Sequence, residues 1–243
     1  MLSHTPAGLD GVVFASQGCL LLGGFYRAAG SGPRPTAILC HGVPGVEKNL
    51  DLAYGLRDAG WNVLYFHYRG SWGSAGTYSF TGLTADLRAA TEWALRQPGV
   101  DQDRLAYVGG SLGGYAVLAE GAREARVSRI VALCPLLDGQ RVPMPRDLAV
   151  QSEAMLRGVT ADELQRQWGA LPPIASLVER LRGPRLLLVT GDRDELFPPE
   201  HYTRLAPLLP EMRWERFPLA DHGFSECRPQ LVQTVVNWLI TQE

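Results

Sequence analysis

The sequence carries no excess of either charge. Lys+Arg 23 stand against Asp+Glu 25, a formal net charge of -2. The basic footprint of a nucleic-acid binder is therefore missing, and no polybasic run marks a membrane surface. Long apolar runs are missing too: none approaches the roughly 18 residues of a membrane-spanning helix. Met1 to Asp10 has neither a basic n-region nor an apolar h-region, so no signal peptide is visible and a cytoplasmic location is expected. Cysteine is sparse. Cys19, Cys40, Cys134 and Cys227 form no CxxC pair and read as free thiols of a reducing compartment. No His/Cys/Asp cluster has metal-ligand spacing, and no Gly-rich loop has the GxxxxGK[ST] form. Neither a metal nor a cofactor is expected. Lysine is reduced to Lys48, from which nothing functional follows.

What is present is an ordinary globular composition, with 46% hydrophobic and 20% charged residues over 243 positions. That length favours one α/β domain with a self-sufficient core. Short β-rich runs alternate with amphipathic windows. Val12 to Ser16 and Cys19 to Arg27 pair around Gln17-Gly18. Strands follow at Thr36 to Cys40, Trp61 to Tyr68, Leu105 to Val108, Arg129 to Leu133, Arg185 to Thr190 and Met212 to Phe217. Helices are expected at Asn49 to Ala59, Ala85 to Arg96, Leu112 to Ala122, Tyr202 to Leu209 and Pro229 to Ile240. This alternation predicts a mostly parallel sheet with helices on both faces. Its βα loops then gather at one edge, where ligands bind. Leu137 to Arg182 breaks the alternation. It reads as helices over Asp147 to Leu156, Thr160 to Trp168 and Ile174 to Leu181, the second opened by a capping box of Thr160 and Glu163. About 45 residues exceed an ordinary connection, so a small helical cap over the active edge is expected.

Four motifs fall just after strands. Gly109-Gly110-Ser111-Leu112-Gly113-Gly114 contains G-x-S-x-G between a strand and a small-residue helix. In a chain with Gly 27 the pattern alone is weak; its placement strengthens it. A sharp strand-to-helix turn lifts Ser111 Oγ above the sheet edge, and the helix N-terminus faces a developing anion. Gly191 to Pro198 and Asp221-His222-Gly223-Phe224 follow two later strands. Ser111 needs a base, which His222 supplies, and the base needs an acid to fix its tautomer. Asp192, Asp194, Glu195 and Asp138 compete for that place. Asp221 is a poor candidate, because adjacent loop side chains seldom face each other. His41-Gly42-Val43-Pro44-Gly45 can present the Val43 N–H to an oxyanion, with the Leu112 N–H as second donor.

HGVPG at 41–45, YRGSWGSAG at 68–76, GGSLGG at 109–114, GDRDELFP at 191–198 and DHGF at 221–224 resemble the α/β-hydrolase superfamily over nearly the whole chain. Within it the chain looks like small serine esterases and the dienelactone-hydrolase-like and S9/S33-like branches. The resemblance implies an eight-stranded sheet with only its second strand antiparallel. It also selects Asp194 as the acid, four residues before Pro198. Two features depart from the relatives: position 111 is Ser where the dienelactone branch proper has Cys, and 243 residues leave no room for the propeller of S9 oligopeptidases. The expected activity is hydrolysis of a small-molecule ester through an acyl-enzyme, with Ser111, His222 and Asp194 as triad and Val43 and Leu112 as oxyanion donors. Peptidase, amidase or thioesterase activity on the same residues is the alternative; a hydrolase-fold binding protein is a further one. Neither nucleic acid nor membrane is expected as a partner, and a homo-oligomer is left open.

The remaining candidates read as structural. His41 holds its own loop, His67 sits inside a strand, and His4 and His201 carry no signal. Asp192 bonds local amides, Asp86 anchors a helix, and Glu47 is a solvated acid able to receive an amine. Trp72 either lines a pocket or covers apolar surface.

Overall fold

The computed structural model describes residues 5–241; His4 lies outside them. Strands β1 (Gly8–Ser16) and β2 (Cys19–Arg27) form a hairpin with Ser16 opposite Cys19. Gln17 and Gly18 both take positive φ, 47° and 83°, the geometry a two-residue turn needs to match the strand twist. The remaining strands are β3 (Arg34–Cys40), β4 (Asn62–Phe66), β5 (Val100–Gly110), β6 (Val127–Leu133), β7 (Arg185–Gly191) and β8 (Arg213–Phe217). They form one sheet in the order β1-β2-β4-β3-β5-β6-β7-β8. Only β2 runs against its neighbours; every pair from β4 to β8 is parallel. This is the sheet the resemblance implies.

Central strands are rich in apolar residues because both faces are covered: all five residues of β4, Asn62 among them, are buried. Helices α1 (Leu50–Asp58) and α7 (Arg228–Ile240) cover one face, burying Leu52, Leu56, Leu231 and Val235 in one core. Helices α2 (Leu83–Leu95) and α3 (Leu112–Gly121) cover the other, with Leu87, Ala90, Ala116 and Val117 in a second core.

Between β6 and β7 lie α4 (Arg146–Met155) and α5 (Ala161–Ala170). Trp168 of α5 is buried in the second core. Thr160 accepts the Glu163 N–H at 3.2 Å, but the Glu163 carboxylate turns to Arg166 and Gln167, so only half of the expected capping box forms. The third predicted helix is replaced by two 3₁₀ turns, Ile174–Leu177 and Arg180–Arg182. Ile174 and Leu181 are fully buried and Leu177 and Val178 pack partly buried against the same core, but the Ile174 N–H is already bonded to Leu137 O and Gly183-Pro184 stop the segment just beyond Leu181. The helix expected over Tyr202 to Leu209 is likewise cut short, to α6 (Glu200–Thr203) and a 3₁₀ turn at Ala206–Leu208. Pro207 has no N–H with which to continue it.

Sheet order sets the layout of the active edge. The chain leaves β3 toward β4 on one side and then returns to β5 on the other, the switch point at which open α/β sheets bind ligands. Cys40 pairs with Gly109, so the loops after β3 and β5 emerge side by side.

Candidate active site

Ser111 sits between β5 and α3 at φ 55° and ψ -120°, a conformation that L-residues adopt only under constraint. Its N–H bonds to Leu133 O at 2.8 Å and its C=O accepts from Tyr115 and Leu136. The turn is packed tightly on its neighbour: a Cβ on Gly113 would lie 2.3 Å from Cys40 O. Ser111 is half-buried, and its hydroxyl has no hydrogen-bond partner among the described residues.

His222 follows β8. Its Nδ1 lies 3.0 and 2.9 Å from the two carboxylate oxygens of Asp194, which follows β7. Asp194 Oδ1 also accepts the N–H groups of Leu196 and Phe197 at 2.9 and 2.8 Å. Burial by itself would raise the Asp194 carboxyl. The His222 hydrogen bond and charge, with the Phe197 N–H, outweigh burial and hold it below the usual carboxylate range. Ser111 and His222 line one cleft of about 300 Å³ together with Val43, Pro44, Glu47, Leu148, Leu196 and Phe224. A larger cavity of about 580 Å³, at Leu137, Asp138, Pro173, Pro198 and Arg204, contains none of these three residues.

The other acids point elsewhere. Asp192 pairs with Arg216 at 2.9 Å rather than with local amides. Asp138 accepts the Gln140 and Arg141 N–H groups. Glu195 takes the backbone N–H of His222 at 3.3 Å, and Asp221 that of Ser225.

The loop after β3 closes on Ser111 so nearly that a Cβ on Gly42 would sit 2.9 Å from Ser111 Cβ. The Val43 and Leu112 N–H groups have no partner among the described residues. His41 is fully buried, and its Nδ1 lies 2.7 Å from Gly42 O. A carbonyl only accepts, so Nδ1 carries the proton. Gly42 C=O and Val43 N–H belong to one planar peptide and point in opposite directions; holding the first aims the second. Burial lowers the His41 pKa to about 4. His67 lies just past β4 rather than inside it, bonded to the Tyr65 hydroxyl.

Several contacts carry no signature in the sequence. Arg228 reaches from the start of α7 to Asp51, Asn49 and Gly223 O, joining the His222 loop to the loop after β3. His201 Nε2 accepts the Leu137 N–H at 2.8 Å, which requires a neutral ring, and burial lowers its pKa to about 4. Its ring stacks on Phe197, which meets His222 edge-on. Asp86 is fully buried against Arg69 and so ties the 68–76 loop to α2. Cys134, at φ 39°, comes within 4.8 Å of the Asp194 and His222 donor atoms. This is a metal-like trio that linear spacing does not reveal. Burial and then the Asp194 charge push the Cys134 thiol well up, so it stays protonated, and Asp194 already holds three hydrogen-bond donors.

Comparison with known proteins agrees with this architecture. Est1E from Butyrivibrio proteoclasticus, solved with ferulic acid bound, superposes with a TM-score of 0.81 at 17% identity, over 94% of this chain and 98% of that one. An uncharacterized protein of Mycobacterium tuberculosis is 42% identical over 112 residues, 46% of this chain and 40% of that protein. Dipeptidyl aminopeptidase BIII of Pseudoxanthomonas mexicana is 37% identical over 98 residues, 35% of this chain and 14% of that protein. The matched stretch thus spans well under half the length of either curated relative. The model of the prolyl oligopeptidase family matches residues 52–242. With an α/β-hydrolase fold and a match over most of its length, the chain belongs to the prolyl oligopeptidase family.

Proposed function

We propose that the protein is a serine esterase acting through an acyl-enzyme. The observation that carries this reading is the pair of contacts between His222 Nδ1 and Asp194, on a cleft shared with a constrained Ser111. Ser111 Oγ attacks the ester carbonyl while His222 Nε2 takes its proton. The Val43 and Leu112 N–H groups stabilise the oxyanion. Asp194, ionised, keeps the proton on Nδ1 and balances the imidazolium. The tetrahedral intermediate expels the alcohol, which leaves with the proton held by His222. A water then gives its proton to His222 and attacks the acyl-enzyme, releasing the acid and restoring Ser111. No step requires a cofactor.

The cleft supports a small acyl group: about 300 Å³ is at the low end of ligand sites. Val43, Val46, Leu148 and Leu196 give it apolar walls. Leu148 and Gln151 come from α4, which supports a capping role for the 137–182 segment. Glu47 favours a second reading. It lines the cleft, with one carboxylate oxygen accepting the Asn49 N–H, and its carboxylate suits the free amine of an aminoacyl group, so a peptidase is the alternative. Short and long p-nitrophenyl esters are to be compared with aminoacyl p-nitroanilides, using wild type and Ser111→Ala. Ester turnover that vanishes in Ser111→Ala is expected. Anilide turnover without ester turnover would transfer the assignment to the peptidase. Ester turnover that survives in Ser111→Ala would overturn the nucleophile.

A further inference from the structure

Trp72 is an exposed tryptophan at φ 47°, a backbone state that is unfavourable for a bulky side chain. Burial does not explain it. Its indole Nε1–H donates to Pro44 O at 2.7 Å, across 28 residues of sequence. The Lys48 ammonium lies 4.2 Å from the centre of its ring. The two ring nitrogens, Trp72 Nε1 and His41 Nδ1, flank one point of the loop: a Cβ on Gly45 would fall 2.7 Å from the first and 2.6 Å from the second. One donor holds the Gly42 carbonyl and the other the Pro44 carbonyl. The Val43 N–H lies between these two fixed points.

We propose that Trp72 is a positioning residue for the oxyanion site: its indole N–H clamps Pro44 and thereby holds the Val43 N–H in place, with Lys48 seated on the ring. The inference rests on the esterase reading. A loop tethered only at Gly42 is free to tilt the Val43 peptide. Complete loss of one oxyanion donor costs about 10²–10³ in rate, and misalignment costs a part of that. A donor that matters only to the tetrahedral state changes kcat and leaves KM alone.

The test compares wild type, Trp72→Phe and Lys48→Met. Each is measured for ester kinetics, for inhibition by an alkyl trifluoromethyl ketone, whose adduct with a serine carries an oxyanion, and for Tm. Trp72→Phe keeps a ring under Lys48 and removes the N–H. It is expected to lower kcat about tenfold and raise the ketone Ki about tenfold, with KM unchanged. Lys48→Met is expected to shift both in parallel by about two- to fourfold. Unaltered kcat and Ki in Trp72→Phe would overturn the proposal. So would a fall in kcat with no change in Ki, the mark of a merely structural role. If Trp72→Phe does not fold, Lys48→Met decides by the same criterion. A wild type inert toward both ester and ketone would overturn the esterase reading itself, and this inference with it.

Discussion

The acid assignment can be tested by one atom exchange whose outcome the local geometry fixes. Asp194 Oδ1 accepts two backbone N–H groups, from Leu196 and Phe197, and lies 3.0 Å from His222 Nδ1, whereas Oδ2 receives neither backbone donor and lies 2.9 Å from Nδ1. In Asp194→Asn the amide oxygen must stay with the two backbone donors, because an NH₂ there would meet N–H groups head-on. The NH₂ therefore takes the Oδ2 position and points at Nδ1. Nδ1–H then faces a donor where it had an anionic oxygen, and its other contact is a neutral amide oxygen already held by two backbone donors; moving the proton to Nε2 relieves the clash and gives the tautomer that cannot accept from Ser111. The expected loss is about 10⁴ in kcat, about 5.5 kcal/mol of transition-state stabilisation, with little change in KM or Tm. Asp192→Asn only releases Arg216 at the surface and is expected to stay within about twofold of wild type. Steady-state ester kinetics on both variants, with thermal melts as the folding control, make the comparison. An Asp194→Asn enzyme within tenfold of wild type, or an Asp192→Asn enzyme more damaged than it, would refute the tautomer argument.

Three further outcomes are expected. Gly42→Ala places a methyl 2.9 Å from Ser111 Cβ and should lower kcat by about tenfold or more; Gly99→Ala, with nothing within 4 Å of the added Cβ, should be neutral and serves as its control in the same assay. Asp86→Ala leaves the Arg69 guanidinium with Gln17 and Ser16 but no counter-charge and should cost about 3 kcal/mol in urea unfolding; recovery on adding Arg69→Met checks that the unpaired charge is the cause. Acid should destabilise the protein through His41. The unfolded chain takes up this proton near pH 6.5, the folded one only near pH 4. Stability is therefore lost as the pH falls from about 6.5 to about 4 and levels off below, a term of about 3 kcal/mol. The dependence of the urea midpoint on pH should be shallower in His41→Gln, and equal slopes would exclude His41 as its source.

The sequence is most informative where a physical requirement is local. Gly109 to Gly114 announce the turn at Ser111 because only small residues fit that approach, and the apolar runs of β3 to β7 announce a sheet covered on both faces. The Ser, acid, His order needs nothing beyond chain direction. Legibility fails where contacts join distant loops. Arg228 meets Asp51 across 177 residues, and Trp72 meets Pro44 through a turn whose shape no periodicity encodes. Cys134 is one of several ordinary apolar-run cysteines until β6 and β7 pair and bring it beside Asp194. Ile174 to Leu181 has helical spacing and packs its apolar residues on the core, yet it forms two 3₁₀ turns; apolar periodicity does not separate the two.

The bridge made by Arg228 bears on the order in which this protein becomes functional during synthesis. The site draws on residues from His41 to His222, and its two halves are fastened together by the first residue of α7. A ribosome releases the chain from the N-terminal side, so the sheet can pair up to β7 while the proposed hydrolytic centre still lacks the residue assigned as its base. Ester cleavage by a nascent or C-terminally clipped chain would have to proceed without His222 and without the fastening. On the esterase reading, activity reports that the last helix has docked, and enzymatic assay becomes a clock for the end of folding rather than for its beginning.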